Sequence, residues 1–364
     1  MRGEIVTTFD RAAALREWAA LYAAAAPNVF LSPPFIAAWL ESAMAASDIV
    51  LLRVTDGAGR LAALGFIGAP RSGSLLRPRE ARFLESGDPV LDRLYPEYID
   101  ILSAGADAAP AREAAFEAIL SAFPHVEEFV FRNTVPDFAQ AGAQAAARHG
   151  ALYRVLHEQP TFQVMLEPVA GEGLAAEFTA SLRQRIRRSQ RRYAARGPVS
   201  FEAAATDAER ARDFETLMRL HGDHWRQRGE PGAFADARIV AFHQRLLRQS
   251  PEAVDLLRLE VNGEPIGVLY NFLAEGRAYN YQSGFKFEDD NQLAPGFLCH
   301  ALAIDRYRKM GLSIYDLMGG EADYKRRLGQ ERPPLLSFVI ERRSVRQQAR
   351  ALARSFRRAR TRQT

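Results

Sequence analysis

At 364 residues the chain exceeds the ~100–200 residues of an ordinary domain, so two domains are expected. Its 48% hydrophobic and 25% charged residues suit globular material with a sizeable core, and its one cysteine, Cys299, excludes an internal disulfide and a cysteine metal cluster. The net charge of +4 belongs to one end: residues 342–364 hold nine arginines and no acid, which leaves 39 basic against 44 acidic residues elsewhere. The body is therefore mildly acidic. The start, MRGEIVTTFD, lacks a basic segment followed by an apolar one, and no run reaches the ~18 apolar residues of a membrane span. A cytoplasmic location is expected.

From the N-terminus, LLRVTDGAGRLAALGF (51–66) reads as two strands joined by a tight Asp56-Gly57 turn. RFLESGD (82–88) follows, then a helix over 110–122 and a strand over 127–133. The same order returns later. LLRLEVNGEPIGVLYN (256–271) is a second hairpin turning at Asn262-Gly263, YNYQSGF (279–285) matches RFLESGD, a helix spans 296–310 and a strand spans 313–319. Hairpin, strand, helix, strand, given twice, predicts an internally duplicated α/β fold with a mixed sheet. The expected divisions are 1–160, 161–341 and the arginine-rich tail 342–364.

Between the copies, SLRQRIRRSQRRYAAR (181–196) holds seven arginines and no acid, with Leu182, Ile186 and Tyr193 at i, i+4 and i+11 on one helical face. Arg187 and Arg188 are candidates for holding an anionic substrate, although a solvated helix would look the same. HGDHWRQRG (221–229) offers His224 and Trp225 for an acceptor pocket, with Tyr281 from the second copy. The His221–His224 spacing puts both rings on one helical face, but no carboxylate completes a metal pattern and no metal is expected.

The second copy differs from the first at its helix start. NQLAPGFLCHALAIDRYRKMG (291–311) begins on Pro295-Gly296, where the first copy has the longer LDRLYPEYIDILSAGADAAP. A helix N-terminus presents unpaired N–H groups and partial positive charge, glycine admits a ligand to the backbone, and proline at the first turn costs little. A plain helix start would share these features. Lysine falls in the same region: Lys286, Lys309 and Lys325 are the only three lysines among 48 basic residues, which either marks places that need an ammonium and not a planar fork or, for Lys286 and Lys309, is chance.

AYNYQSGF, NQLAPGF, SIYDLMGG and ADYKRRLG together resemble the C-terminal half of the GNAT acyltransferase superfamily. The resemblance is to its two-domain branch, which includes Fem-type aminoacyltransferases and acetyltransferase-like proteins of cellulose biosynthesis. NVFLSPPFIAAWLES (28–42), the arginine-rich helix and HGDHWRQRG fall where that branch has similar segments. The resemblance implies tandem GNAT-like domains, with acyl-CoA bound by the second through Gln292, Leu293, Ala294, Gly296, Phe297 and Leu298. The family's Gln/Arg-x-x-Gly-x-Gly/Ala pattern is one residue out of step here and lacks its second glycine. The resemblance also implies Tyr324 as the acid that protonates the leaving thiolate, where an aromatic packed at a helix start would look the same, and Lys325 as the partner of donor phosphate. Asp316, at the strand's end, reads as the base, its orienting group or a buried structural carboxylate. Glu321 and Asp323 are the alternative carboxylates.

The expected activity is N-acyl transfer from acyl-CoA to an amine, such as an amino sugar or another envelope or polysaccharide precursor on a sugar or lipid carrier. Fem-type enzymes use aminoacyl-tRNA and carry a long helical arm in the second domain; no such arm is evident between Glu202 and Val254, which favours the smaller donor. A non-catalytic assembly factor working through its arginine segments is the third reading. The tail, with Val345, Ala349, Leu352 and Phe356 on one face, suits a peripheral membrane or nucleic-acid contact or none. No DNA partner is expected.

Overall fold

The computed structural model describes residues 1–25, 27–68, 78–166, 178–290 and 292–343. All of the tail beyond Arg343, with its expected contacts, lies outside the described residues. The chain forms two units: one comprises 1–26, 40–158 and 334–364, the other 27–39 and 159–333. They are not contiguous in sequence, unlike the expected 1–160 and 161–341, because two long strands each begin in one unit and end in the other.

The first unit contains β1 (Arg2–Val6), α1 (Arg11–Ala25), the second half of α2 (Pro33–Ala46), β2 (Ile49–Thr55), β3 (Leu61–Gly68), β4 (Glu80–Phe83) and β5 (Leu102–Ser103). It continues with α3 (Ala108–Ala122), β6 (Glu128–Thr134), α4 (Pro136–Arg148) and the start of β7 (Leu152–Met165). The second unit holds the end of β7, α5 (Ala180–Ala194), β8 (Val199–Ala203), α6 (Asp207–Arg226), α7 (Ala237–Gln249), β9 (Val254–Val261), β10 (Glu264–Ala274) and β11 (Arg277–Phe285). Then come α8 (Pro295–Lys309), β12 (Ile314–Gly319), α9 (Asp323–Leu328) and the first residues of β13 (Gln330–Glu341), whose remainder is in the first unit.

Both hairpins form, by different turns. Asn262 and Gly263 take left-handed φ of 50° and 76°, as a two-residue hairpin turn requires. In the β2–β3 hairpin the expected tight Asp56-Gly57 turn is replaced by a longer one. There the Asp56 carboxylate accepts the N–H groups of Ala58 and Arg60, both at 2.9 Å, and it is Gly59 that has positive φ, 79°.

The duplicated copies share a topology and differ at the parallel pair. In the first unit β4 and β6 pair in parallel from Glu80–Glu128 to Arg82–Val130. Beyond that point the chain fills the space beside β6 itself: Ile99 donates its N–H to the Asn133 carbonyl and accepts that of Val135, each at 3.0 Å, and β5 pairs with β3. In the second unit, ordered β7-β12-β11-β10-β9-β8, the parallel β11–β12 pairing runs only from Arg277–Ile314 to Tyr279–Asp316. Past that pair β11 continues on β10 to Phe285 and β12 continues on β7 to Gly319, so the two strands part. Among the described residues no strand of the second unit closes this opening.

The core of the second unit lies between its sheet, α5 and α8, with Ile186, Tyr193, Leu298, Ala301, Ile304 and Tyr307 all at 1% exposure or less. Phe30 and Phe35, from the 27–39 segment, join its aromatic layer through Phe272 and Phe242 at 6.2 and 5.4 Å. Close approach of α8 to the sheet requires glycine at 267, where a Cβ would stand 2.6 Å from the Cys299 sulfur.

Candidate active site

The start of α8 is held from the side by the arginine-rich helix. The buried face of α5 is Leu182, Ile186, Ser189 and Tyr193, the expected apolar stripe with a serine inside it. The Ser189 hydroxyl accepts the Ala294 N–H at 3.0 Å. One turn further, Arg192 reaches Asp290 at 2.6 Å and Gln292 at 3.2 Å, and Arg196 reaches Glu288 at 3.1 Å. These pairs set the loop that leads into α8. One turn before Ser189, the Arg185 guanidinium lies 5.0 Å over the Phe297 ring.

This bracing decides which backbone groups remain available. Of the six residues expected to line a donor site, four have engaged amides: Gln292 bonds the Asp290 carboxylate and Leu293 the Asp290 carbonyl, Ala294 bonds Ser189, and Leu298 bonds the Ala294 carbonyl. Among the described residues the N–H groups of Gly296 and Phe297 have no partner. No side chain caps this end and no acidic residue stands in its first turn. With Pro295 contributing no N–H, two adjacent amides under an arginine are what α8 presents, an arrangement that fits a phosphate group. Gly296 is a tight position, since a Cβ there would come within 3.2 Å of the Phe285 ring.

Pro295 and Gly296 line a cavity of about 760 Å³ with Arg219, His224, Glu264, Phe285 and Lys286. His224 is exposed on its wall, its pKa lowered first by partial burial and then by the charge of Arg228. His221, one turn earlier, is turned the other way. Its Nε2 accepts the Ala233 N–H, so its Nδ1 donates to the Ser283 carbonyl, both at 3.1 Å, and the ring is neutral and structural. Trp225 stands between His224 and Arg228, 6.0 and 5.9 Å away. Tyr281 belongs to the aromatic layer, 4.7 Å from Phe272 and 5.3 Å from His243. Arg187 and Arg188 are exposed and, among the described residues, neither bonds to α8, whereas Arg185, Ser189 and Arg192 reach its start or the loop before it.

The other predicted residues meet where β11 and β12 part. Asp316, at the last paired position, is fully buried; its oxygens accept the Gln163 amide at 2.8 Å and the Met318 N–H at 2.7 Å. That second bond holds Met318 at a φ of 62° beside a bulge in the β12–β7 pairing. Lys325 is 9% exposed and its ammonium donates to the Gly319 carbonyl. Tyr324, half-buried, stacks on His300 at 5.2 Å and 13°. Lys286 and Lys309 form surface pairs with Glu264 and Asp305, both at 2.6 Å, and Asp323 pairs with Arg327 at 2.7 Å.

Three residues escaped the sequence reading: Arg185, Ser189 and His300. Ser189 continues the 182–186–193 stripe at i+7, which was the available signal for its burial. His300 is 1% exposed inside an apolar helix, where histidine reads as ordinary packing. Among the described residues no group of three or more His, Cys, Asp or Glu is placed to hold a metal, and no helix is long and apolar enough to cross a membrane.

A parted pair of parallel strands and a helix of open N-terminus thus characterise the second unit, whose fold is of mixed α/β type. Residues 180–326 match the family model for the acetyltransferase (GNAT) domain. The match covers most of the second unit, and the fold of the chain is a tandem GNAT-like one. It shares its fold with FemX, at 11% identity over 96% of this chain and 99% of that one, with a TM-score of 0.62. Similar too are the C-terminal domain of a provisionally named lysylphosphatidylglycerol synthetase from Agrobacterium fabrum and L-PGS from Bacillus licheniformis. The first is 12% identical over 94% and 95% of the two chains with a TM-score of 0.54; the second is 10% identical over 90% and 91% with 0.51. No curated protein matches the sequence.

Proposed function

We propose that the protein is an N-acyltransferase that takes an acyl group from acyl-CoA and gives it to an amine, on an amino sugar or another envelope or polysaccharide precursor. The observation that carries this reading is the pair of unpartnered amides at Gly296 and Phe297, beside the opening between β11 and β12. The first copy, by contrast, fills the equivalent space with its own chain. In this reading the two amides and Arg185 hold donor phosphate, and the donor's arm runs into the opening toward Tyr279 and Asp316. The amine nitrogen attacks the thioester carbonyl carbon, the C–N bond forms and the C–S bond breaks. The proton the amine loses balances the one the thiolate gains, for which Tyr324 is the source. Asp316, with both oxygens already accepting bonds, holds the bulge at the apex and is not assigned as the base. Lys325, bound to the Gly319 carbonyl, is assigned to the same support of the strand end.

The rival donor is aminoacyl-tRNA, as in Fem-type enzymes. Against it stands the use of residues 207–249 for α6 and α7, with α6 packed on β9, β10 and β11, which leaves no projecting arm in that stretch. A thiol-release assay of acetyl-CoA and longer acyl-CoAs over a panel of amino sugars tests the proposal, beside a tRNA gel shift in rising salt. Thiol release dependent on both protein and amine supports it; salt-sensitive tRNA binding without thiol release favours the rival.

A further inference from the structure

Among the buried polar groups of the second unit is the imidazole of His300. It sits on α8, four residues after Gly296 and so one turn further along the same face. The ring is 1% exposed. Its Nδ1 lies 2.8 Å from the Tyr315 hydroxyl, its face stacks on Tyr324, and Phe285 meets it at 6.1 Å. Phe285 in turn lines the cavity beside Gly296. His300 therefore stands one ring behind the cavity wall, between α8 and the strands that part.

Its Nε2 is buried and has no hydrogen-bond partner among the described residues. A buried polar nitrogen left without a partner costs ~1–3 kcal/mol, and such atoms are uncommon unless something absent from the free protein completes them. The charged groups that could alter the ring's state are few. Burial, and then the Lys325 ammonium, lower the His300 pKa to about 3, so the ring is neutral and presents one donor and one acceptor. Burial first, then Tyr324, push the Tyr315 phenol well above its ordinary value, so that hydroxyl keeps its proton. A Tyr315 O–H donating to Nδ1 leaves the imidazole proton on Nε2, a donor with no acceptor among the described residues.

We propose that the Nε2–H of His300 donates a hydrogen bond to a carbonyl oxygen on the arm of the bound acyl donor, which makes His300 a donor-binding residue that also holds Tyr324 in place. The carbonyl-bearing arm is the part of the donor that enters the strand opening, whereas the phosphates stay at Gly296 and Phe297. This assignment rests on the acyl-CoA reading.

The test separates arm from phosphates. Wild type, His300→Gln and His300→Leu are titrated calorimetrically with acetyl-CoA and with 3′-phospho-ADP, which carries the phosphates and no arm. Expected is a ~10-fold weakening of acetyl-CoA by His300→Leu, the size of one lost hydrogen bond, with 3′-phospho-ADP unchanged. Recovery of most of the loss in His300→Gln, which retains an N–H donor, is also expected. Equal losses for both ligands, or no loss for either, overturn the assignment alone. If wild type binds neither acetyl-CoA nor longer acyl-CoAs, whether or not it binds 3′-phospho-ADP, the acyl-CoA reading falls and this assignment with it; if it binds only a longer acyl-CoA, that ligand takes the place of acetyl-CoA in the titrations. Ring ¹⁵N NMR of the free protein supplies an independent check: the Nε2–H tautomer is expected, and an Nδ1–H tautomer overturns the proposal whatever the donor.

Discussion

The hydroxyl of Ser189 accepts the backbone N–H of Ala294 at 3.0 Å, across 105 residues of sequence. That one bond makes the arginine-rich helix a support for α8 and removes one amide from the donor site. Ser189→Ala leaves the Ala294 N–H buried without a partner, so a loss of about 1–2 kcal/mol in unfolding free energy is expected. Donor affinity falls with it as the helix start loosens. Denaturant unfolding and a donor titration, run on the same variant, read the two effects.

Gly296→Val fills the place where the backbone meets Phe285, since a Cβ at this position would come within 3.2 Å of that ring. Donor binding is expected to fall by at least ~10-fold through loss of close backbone approach, with circular dichroism unchanged. Gly267→Ala is the contrasting control. Its Cβ would stand 2.6 Å from the Cys299 sulfur, so its effect falls on stability, about 1–3 kcal/mol as for other overpacked sites.

The arginines of α5 divide by position. Arg185→Ala is expected to weaken an acyl-CoA donor several-fold and reduce the salt dependence of binding, because it stands over Phe297. Arg187→Ala with Arg188→Ala is expected to change neither, since among the described residues neither side chain bonds to α8 or to the loop before it. Calorimetry at two salt concentrations distinguishes the pair from the single variant.

Stability depends on buried histidines. Burial lowers His243 and His300 to about 3 and lowers His221 as well, so the unfolded chain takes up protons near pH 6 that the folded one refuses. Their contribution is present above the ordinary histidine pKa and is lost as pH falls below it. Glu85 acts oppositely: burial first, then the charge of Asp92, raise it to about 7, so it favours folding below the ordinary glutamate pKa and loses that contribution as pH rises to 7. The histidines outnumber it. Unfolding free energy should fall by on the order of 1 kcal/mol per pH unit between pH 6.5 and 5, and Glu85→Gln should steepen that fall. Urea unfolding at a series of pH values measures both slopes.

The duplication was legible because hydrophobic alternation and turn residues are local, and each copy repeats them. The helix start at Pro295 and the 182–186–193 face were legible for the same reason. Three things were not. The segment 27–39 joins the second unit through Phe30 and Phe35, a contact over more than two hundred residues that no local pattern announces. The opening between β11 and β12 depends on where pairing stops, and its closure in the first copy depends on the Ile99–Asn133–Val135 bonds. The amides of Gln292, Leu293, Ala294 and Leu298 looked available because their partners, Asp290, Ser189 and the helix itself, are fixed only once the loop is folded.

The central claim is that α8 receives the phosphates of an acyl-CoA through Gly296 and Phe297. Calorimetric titration of the full chain with acetyl-CoA, beside Gly296→Val, tests it most directly. One-site binding by the wild type that is lost in the folded variant is the predicted result. Absence of binding to acetyl-CoA and longer acyl-CoAs by folded wild-type protein, or equal affinity in Gly296→Val, contradicts it.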